Sequence, residues 1–177
     1  MGQLKEQMLM EMELRNFSPK TVKAYLGHMV SYTKLFGRSP ADMGDAEIRQ
    51  YLYYLLKDRQ VSWSNINIAY SSLKFFYVRV LHRPWNVDHI PRPKKEKRLP
   101  QILSYSELDR LFEVTRNIKH RLIFKTVYAG GLRVSEVAQL KVSNIDSDRM
   151  TIRIDQGKGK KDRYTVLAHA LVPELRN

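Results

Sequence analysis

The sequence predicts a mainly α protein with a small β-hairpin: an N-terminal helical bundle, a basic proline-rich linker and a C-terminal α+β portion. Three observations carry this prediction. Apolar residues recur at helical spacing through residues 1–82, in runs opened or closed by capping residues and glycine. Residues 83–102 then hold Pro84, Pro91, Pro93 and Pro100, through which no regular helix can pass. Farther on, Met150, Ile152 and Ile154 alternate with Thr151, Arg153 and Asp155, the period of a half-buried strand.

In the first helix, Leu4, Met8 and Met12 repeat at every fourth position between charged residues. Ser18 is a suitable N-cap for the second, with Pro19 at its first position and Phe17 placed to staple onto Val22. Val22, Tyr25, Leu26, Met29 and Phe36 form its apolar face, and Gly37 ends it. Asp45 is expected to cap a third helix carrying Ile48, Leu52, Leu55 and Leu56 inward. Ser62 caps a fourth, whose apolar side runs from Ile66 through Ala69, Tyr70, Leu73, Phe76 and Tyr77 to Val80. Four such helices with short connections make a bundle.

Beyond the linker, Ser104 and Glu107 have capping-box spacing before Leu108, Leu111 and Phe112. The next helix, from about Ile118 to Ala129, is apolar enough to be central to a core. Asp146 to Asp148 read as a turn, and Tyr164 to Leu167 as the second strand of the hairpin. Residues 168–177 look like the first turns of another helix.

The chain has 177 residues, 43% of them hydrophobic, enough for a packed core. Lys and Arg number 31 against 18 Asp and Glu, a formal net charge of +13, which points to a polyanionic partner. A transmembrane-length apolar span and a signal-peptide core are lacking, so the expectation is a cytoplasmic protein with no membrane partner. The absence of cysteine excludes disulfides and thiolate metal sites, and the five scattered histidines form no close ligand pair. No metal or cofactor is expected. Gly157-Lys158-Gly159 is not a nucleotide P-loop, which needs wider glycine spacing and a Ser or Thr after the lysine, and no small-molecule substrate is expected.

Two segments carry the chemistry. Ala129-Gly130-Gly131-Leu132-Arg133-Val134-Ser135-Glu136 reads as a helix end, a tight turn and a new helix near Val134. It places Arg133 at a helix mouth whose backbone N–H groups point outward, an arrangement suited to phosphate. Gly157-Lys158-Gly159-Lys160-Lys161-Asp162-Arg163 is a turn that can hold Lys158 at a hairpin tip, with Lys160 and Lys161 able to make generic phosphate contacts. In the first domain, Lys20, Thr21, Lys23 and Tyr25 on the second helix, and Asn65 and Lys74 on the fourth, are suited to phosphate oxygens and base edges. For any single one of them a solvated helix face is the simpler reading. The charge run Lys94, Lys95, Lys97 and Arg98 either follows a DNA backbone or is a solvated hinge.

Together the two segments resemble the tyrosine recombinases, the phage integrase family. Gly131 to Glu136 is similar to that family's first catalytic arginine motif, and Gly157 to Arg163 to its catalytic lysine hairpin. The resemblance implies a SAM-like core-binding domain over 1–82, a linker over 83–102, and a truncated catalytic domain over 103–177. It implies a double-stranded DNA partner, with self-association on DNA. Arg133 would contact the non-bridging oxygens of the scissile phosphate, Lys158 would protonate the departing 5′ oxygen, and Glu136 would orient Arg133. The family's His-x-x-Arg motif and nucleophilic tyrosine do not follow Lys158 in these 177 residues. His89-Ile90-Pro91-Arg92 matches by letters but precedes Arg133, and Tyr164 belongs to a strand. The expected activity is therefore DNA binding without strand cleavage. Two other readings are a regulatory protein that occupies recombination sites and an unrelated basic helical RNA-binding module.

Overall fold

The computed structural model describes residues 2–86, 88–92, 99–155 and 161–176. They divide into two compact units, Met1–Arg98 and Leu99–Asn177. The protein is mainly helical with one small antiparallel sheet.

The first unit packs α1 (Gly2–Leu14), α2 (Pro19–Phe36), α3 (Asp45–Lys57) and α4 (Trp63–Phe75) around one core. Local chemistry sets most of the helix ends. Ser18 Oγ accepts from the Thr21 N–H at 3.2 Å, and Pro19 opens α2. Gly37 ends α2 at φ 62°, in the left-handed region that glycine enters without steric cost. Ser62 Oγ caps α4 through the Asn65 N–H at 3.3 Å. Ser18→Ala should lower the stability of this unit by about 1 kcal/mol, read as a shift in denaturant midpoint.

The N-terminus of α3 departs from expectation. Asp45 is the first helical residue rather than the cap, and Gly44 holds the cap position. The Glu47 carboxylate reaches back to the Gly44 N–H at 2.9 Å and accepts from Arg38 Nη2 at 2.7 Å. A longer acid three residues on does the work assigned to Asp45.

Met8, Met12, Met29, Ile48, Leu55, Ile66 and Leu73 fill the core. Tyr32 and Tyr51 join them, stacked edge to face with centroids 5.3 Å apart. Burying a phenol requires a partner for its hydroxyl. Tyr32 Oη lies 3.1 Å from Tyr77 Oη, and Tyr77 donates to the Pro40 carbonyl at 3.0 Å. Phe17 sets its ring against Tyr25 and Phe75. The fourth helix ends in a π-turn, Phe76–Val80, which periodicity alone does not reveal.

Residues 83–86 and 88–92 pack within the first unit. Arg83 donates to the Ala41 and Met43 carbonyls at 2.6 and 3.1 Å. Trp85 Nε1 donates to Tyr70 Oη at 2.9 Å, and Ile90 is fully buried. Proline bars a long helix here, but a turn in which the Ile90 N–H donates to the Asn86 carbonyl at 3.0 Å still seats side chains.

The second unit contains α5 (Tyr105–Val114), α6 (Ile118–Gly130), α7 (Val134–Val137), β1 (Ile145–Asp146), β2 (Thr151–Ile154), β3 (Arg163–Val166) and α8 (Val172–Leu175). The expected hairpin is part of a three-stranded antiparallel sheet of order β1-β2-β3. Ile145 pairs with Ile152, and Thr151 with Val166. β1 is two residues long and shows no alternation that sequence could reveal. The turn after it is as expected, with Asp146 Oδ1 accepting from the Asp148 and Arg149 N–H groups. Met150 takes φ 53° in that turn and so is not a strand residue.

Leu132, Ile152, Ile154, Leu167 and Leu171 form the core of this unit. The expectation that α6 is central to it is corrected. Among its described residues only Thr126 and Gly130 are buried, while Phe124 and Tyr128 are 42% and 52% exposed. The sheet meets α6 near its C-terminal end, where Thr165 Oγ1 donates to the Gly130 carbonyl at 2.7 Å.

Candidate phosphate-binding site

Of the two glycines before Arg133, Gly131 is the one its backbone conformation requires. Gly131 caps α6 at φ 59°. Gly130, the buried last residue of α6, lies beside Leu132, Thr165 and Val166, where an added Cβ would make ordinary van der Waals contacts at 3.4 to 3.5 Å. Leu132, 6% exposed, then anchors the turn in the core and leaves Arg133 as the N-cap of α7.

The expected open helix mouth is not what forms. α7 is a single turn, and the Glu136 carboxylate accepts from the Arg133 N–H at 2.8 Å. Glu136 Oε1 also accepts from Arg133 Nη1 at 2.7 Å. The expected link between Glu136 and the arginine is therefore direct. The Glu136 side chain is 5% exposed and that of Arg133 53%, so a buried acid holds a guanidinium whose far edge meets solvent.

Sequence reasoning assigned no role to Arg163, although it ends the lysine-hairpin motif. From the start of β3 its Nη1 and Nη2 reach Glu136 Oε1 and Oε2 at 2.6 and 2.9 Å. This two-pronged pair is the main reason the Glu136 carboxyl titrates far below the usual carboxylate range, with the Arg133 N–H next in effect. The available signal was an arginine next to an expected strand and downstream of a motif acid. Lys158 and Lys160 lie outside the described residues, and Lys161 is exposed just before β3.

In the first unit the predicted contact residues divide between two clefts. Tyr25 and Lys74 line one of about 400 Å³ together with Arg79 and Arg92. Arg92 lies 5.9 Å from the Tyr70 ring centroid and donates from Nε to Asn67 Oδ1 at 3.2 Å. Lys23 and Asn65 line the other, of about 260 Å³, with His28 and Arg59. Burial pushes His28 below its ordinary value, opposed in part by Asn65. Lys20 is exposed on α2, whereas Thr21 Oγ1 is engaged with Ser18 Oγ at 2.8 Å in the helix cap. Arg59, Arg92 and His28 were not predicted, because only the fold gathers them. Lys94, Lys95, Lys97 and Arg98 lie outside the described residues. Among the described residues, no acidic, histidine or cysteine cluster could hold a metal ion, and no helix is long and apolar enough to cross a membrane.

Residues 4–87 match the phage integrase N-terminal SAM-like domain, and residues 96–177 match the phage integrase family. The chain belongs to this family, the tyrosine recombinases. A putative integrase/recombinase of Sinorhizobium fredii, y4qK, is 40% identical over 178 residues, covering 100% of this chain and 58% of that protein. The tyrosine recombinase XerC of Staphylococcus aureus is 29% identical over 162 residues, covering 85% of this chain and 54% of its own length. The Tn1549 transposon integrase, solved in complex with circular intermediate DNA, shares the fold at a TM-score of 0.66 and 13% identity, over 98% of this chain and 63% of that one. The chain spans about half the length of the curated relatives it matches.

Proposed function

We propose that this chain is the front portion of a site-specific DNA recombinase, which binds duplex DNA and presents Arg133 to a scissile phosphate. The helical unit acts as the core-binding domain, residues 83–102 as a basic connection along the backbone, and residues 103–177 as the front of the catalytic domain. Arg133 stabilises the charge that builds on the non-bridging oxygens in the transition state. Lys158 protonates the departing 5′ oxygen. The chain's site of action is the cytoplasm, on DNA, with further copies beside it.

The observation that carries this reading is the Arg133 guanidinium, held at one nitrogen by a buried acid and half open to solvent. The cationic clefts of the first unit and the net charge of +13 support it. Anisotropy titrations against duplex DNA and RNA of the same length and sequence test it. Duplex DNA should bind tighter, with log affinity falling linearly against log salt. Equal or tighter RNA binding would overturn the reading in favour of an RNA-binding module.

Replacing Lys94, Lys95, Lys97 and Arg98 by glutamine should make that salt slope shallower by about 0.9 for each phosphate no longer neutralised. An unchanged slope removes the charge run from the interface.

A further inference from the structure

Arg163 holds Glu136 more completely than Arg133 does. Both nitrogens of its fork engage, Nη1 on Oε1 at 2.6 Å and Nη2 on Oε2 at 2.9 Å. Arg133 engages through Nη1 alone, on Oε1 at 2.7 Å, while its backbone N–H takes Oε2 at 2.8 Å. Each carboxylate oxygen therefore already accepts from two donors, which is about its full capacity. Nε and Nη2 of Arg133 have no acceptor among the described residues.

An arginine three residues before a buried glutamate would ordinarily close on it two-pronged, because that geometry is the stronger one. Such a pair would neutralise Arg133 and use up the edge a phosphate needs. A second guanidinium on the same carboxylate changes both outcomes. It leaves the cluster with a net positive charge and limits Arg133 to one nitrogen. Arg163 is placed to do this because β3 starts beside Glu136, and Glu136 is 5% exposed, where it cannot swing away to solvent.

We propose that Arg163 is a positioning residue, which fills Glu136 and so keeps the Nε–Nη2 edge of Arg133 open for a phosphodiester. The phosphodiester clause rests on the proposed function; the hold on Glu136 stands on geometry. Arg163 also follows Lys158 by five residues in the sequence, and it ties the start of β3 to the turn that bears Arg133.

The test is side-chain ¹⁵N–¹H NMR of the 177-residue polypeptide, wild type against Arg163→Gln and Arg163→Lys, with the Arg133 signals assigned from Arg133→Lys. In Arg163→Gln the Arg133 Nε–H should shift and rotation about its Nε–Cζ bond should slow, as Arg133 closes on Glu136. Arg163→Lys keeps the charge without the fork and should fall between. Should the glutamine variant fail to fold, the lysine variant carries the comparison. Arg133 signals unchanged in a folded Arg163 variant overturn the proposal. Titration with dimethyl phosphate adds the functional arm. Wild-type affinity at Arg133 should exceed that of Arg163→Gln by about tenfold, the worth of a charge-assisted hydrogen bond. No Arg133 response in the wild type defeats the phosphate reading of Arg133, while the variant spectra still decide what Arg163 does to Glu136.

Discussion

Arg133→Ala should reduce strand cleavage by about 10³-fold, measured in a chain continued through the remaining catalytic residues of a tyrosine recombinase. Duplex affinity of the same variant should stay within about threefold, because the many other cations still hold the DNA backbone. Only an interaction stronger in the transition state than in the ground state speeds cleavage. The charge on the non-bridging oxygens grows as the phosphorus centre is attacked, and a guanidinium fixed beforehand interacts most strongly at that moment. The fold should tolerate the change, since Arg133 is 53% exposed and Glu136 keeps the two bonds from Arg163. Arg133→Lys retains the charge but not the planar fork and should recover only part of the rate. Cleavage by Arg133→Ala at near wild-type rates would remove Arg133 from the chemistry.

Glu136→Ala should lower the thermal midpoint of the second unit by about 10 °C. Glu136 accepts four hydrogen bonds that join the Arg133 turn to β3. Its loss leaves two guanidiniums facing each other without the intervening acid. The effect stays moderate because both arginines retain some water, at 53% and 35% side-chain exposure. The same carboxylate makes stability depend on pH. Its folded-state titration lies well below the ordinary value of 4.5, held there first by Arg163 and then by the Arg133 N–H. The unfolded chain therefore binds the proton more readily. Stabilisation is complete above 4.5 and is lost as the pH falls below that value toward the folded one. Glu136→Gln should show a shallower acid decline than wild type. Part of the slope should persist, because Asp146 is also held low, chiefly by hydrogen bonds from Arg149. Superimposable acid profiles for wild type and Glu136→Gln would show that this pair does not govern the acid limb.

The helical bundle was legible wherever local chemistry decides the outcome. Ser18 with Pro19, Gly37, Ser62 and the Ser104–Glu107 box act within one turn of chain, and each sits where its spacing placed it. Gly44 took the cap position from Asp45 because Glu47, one turn on, reaches the free N–H. The Arg133–Glu136 contact was legible for the same reason, since it spans three residues. α6 was misjudged because apolar composition says how much a helix could bury and not what lies beside it. β1 was missed because two residues carry no period, and its existence depends on β2.

Sequence alone thus determined that this is a strongly basic protein with most helix caps in register and a glycine-paired turn before Arg133. Tertiary structure alone decided that Arg163 and Arg133 share one buried carboxylate, and that Arg59 and Arg92 line clefts with residues far away in the chain. The physical reason is range. Caps and turns are settled by hydrogen bonds between neighbours a few residues apart. The partner of a guanidinium 27 residues away is settled only once the strand and helix that carry the two groups have packed.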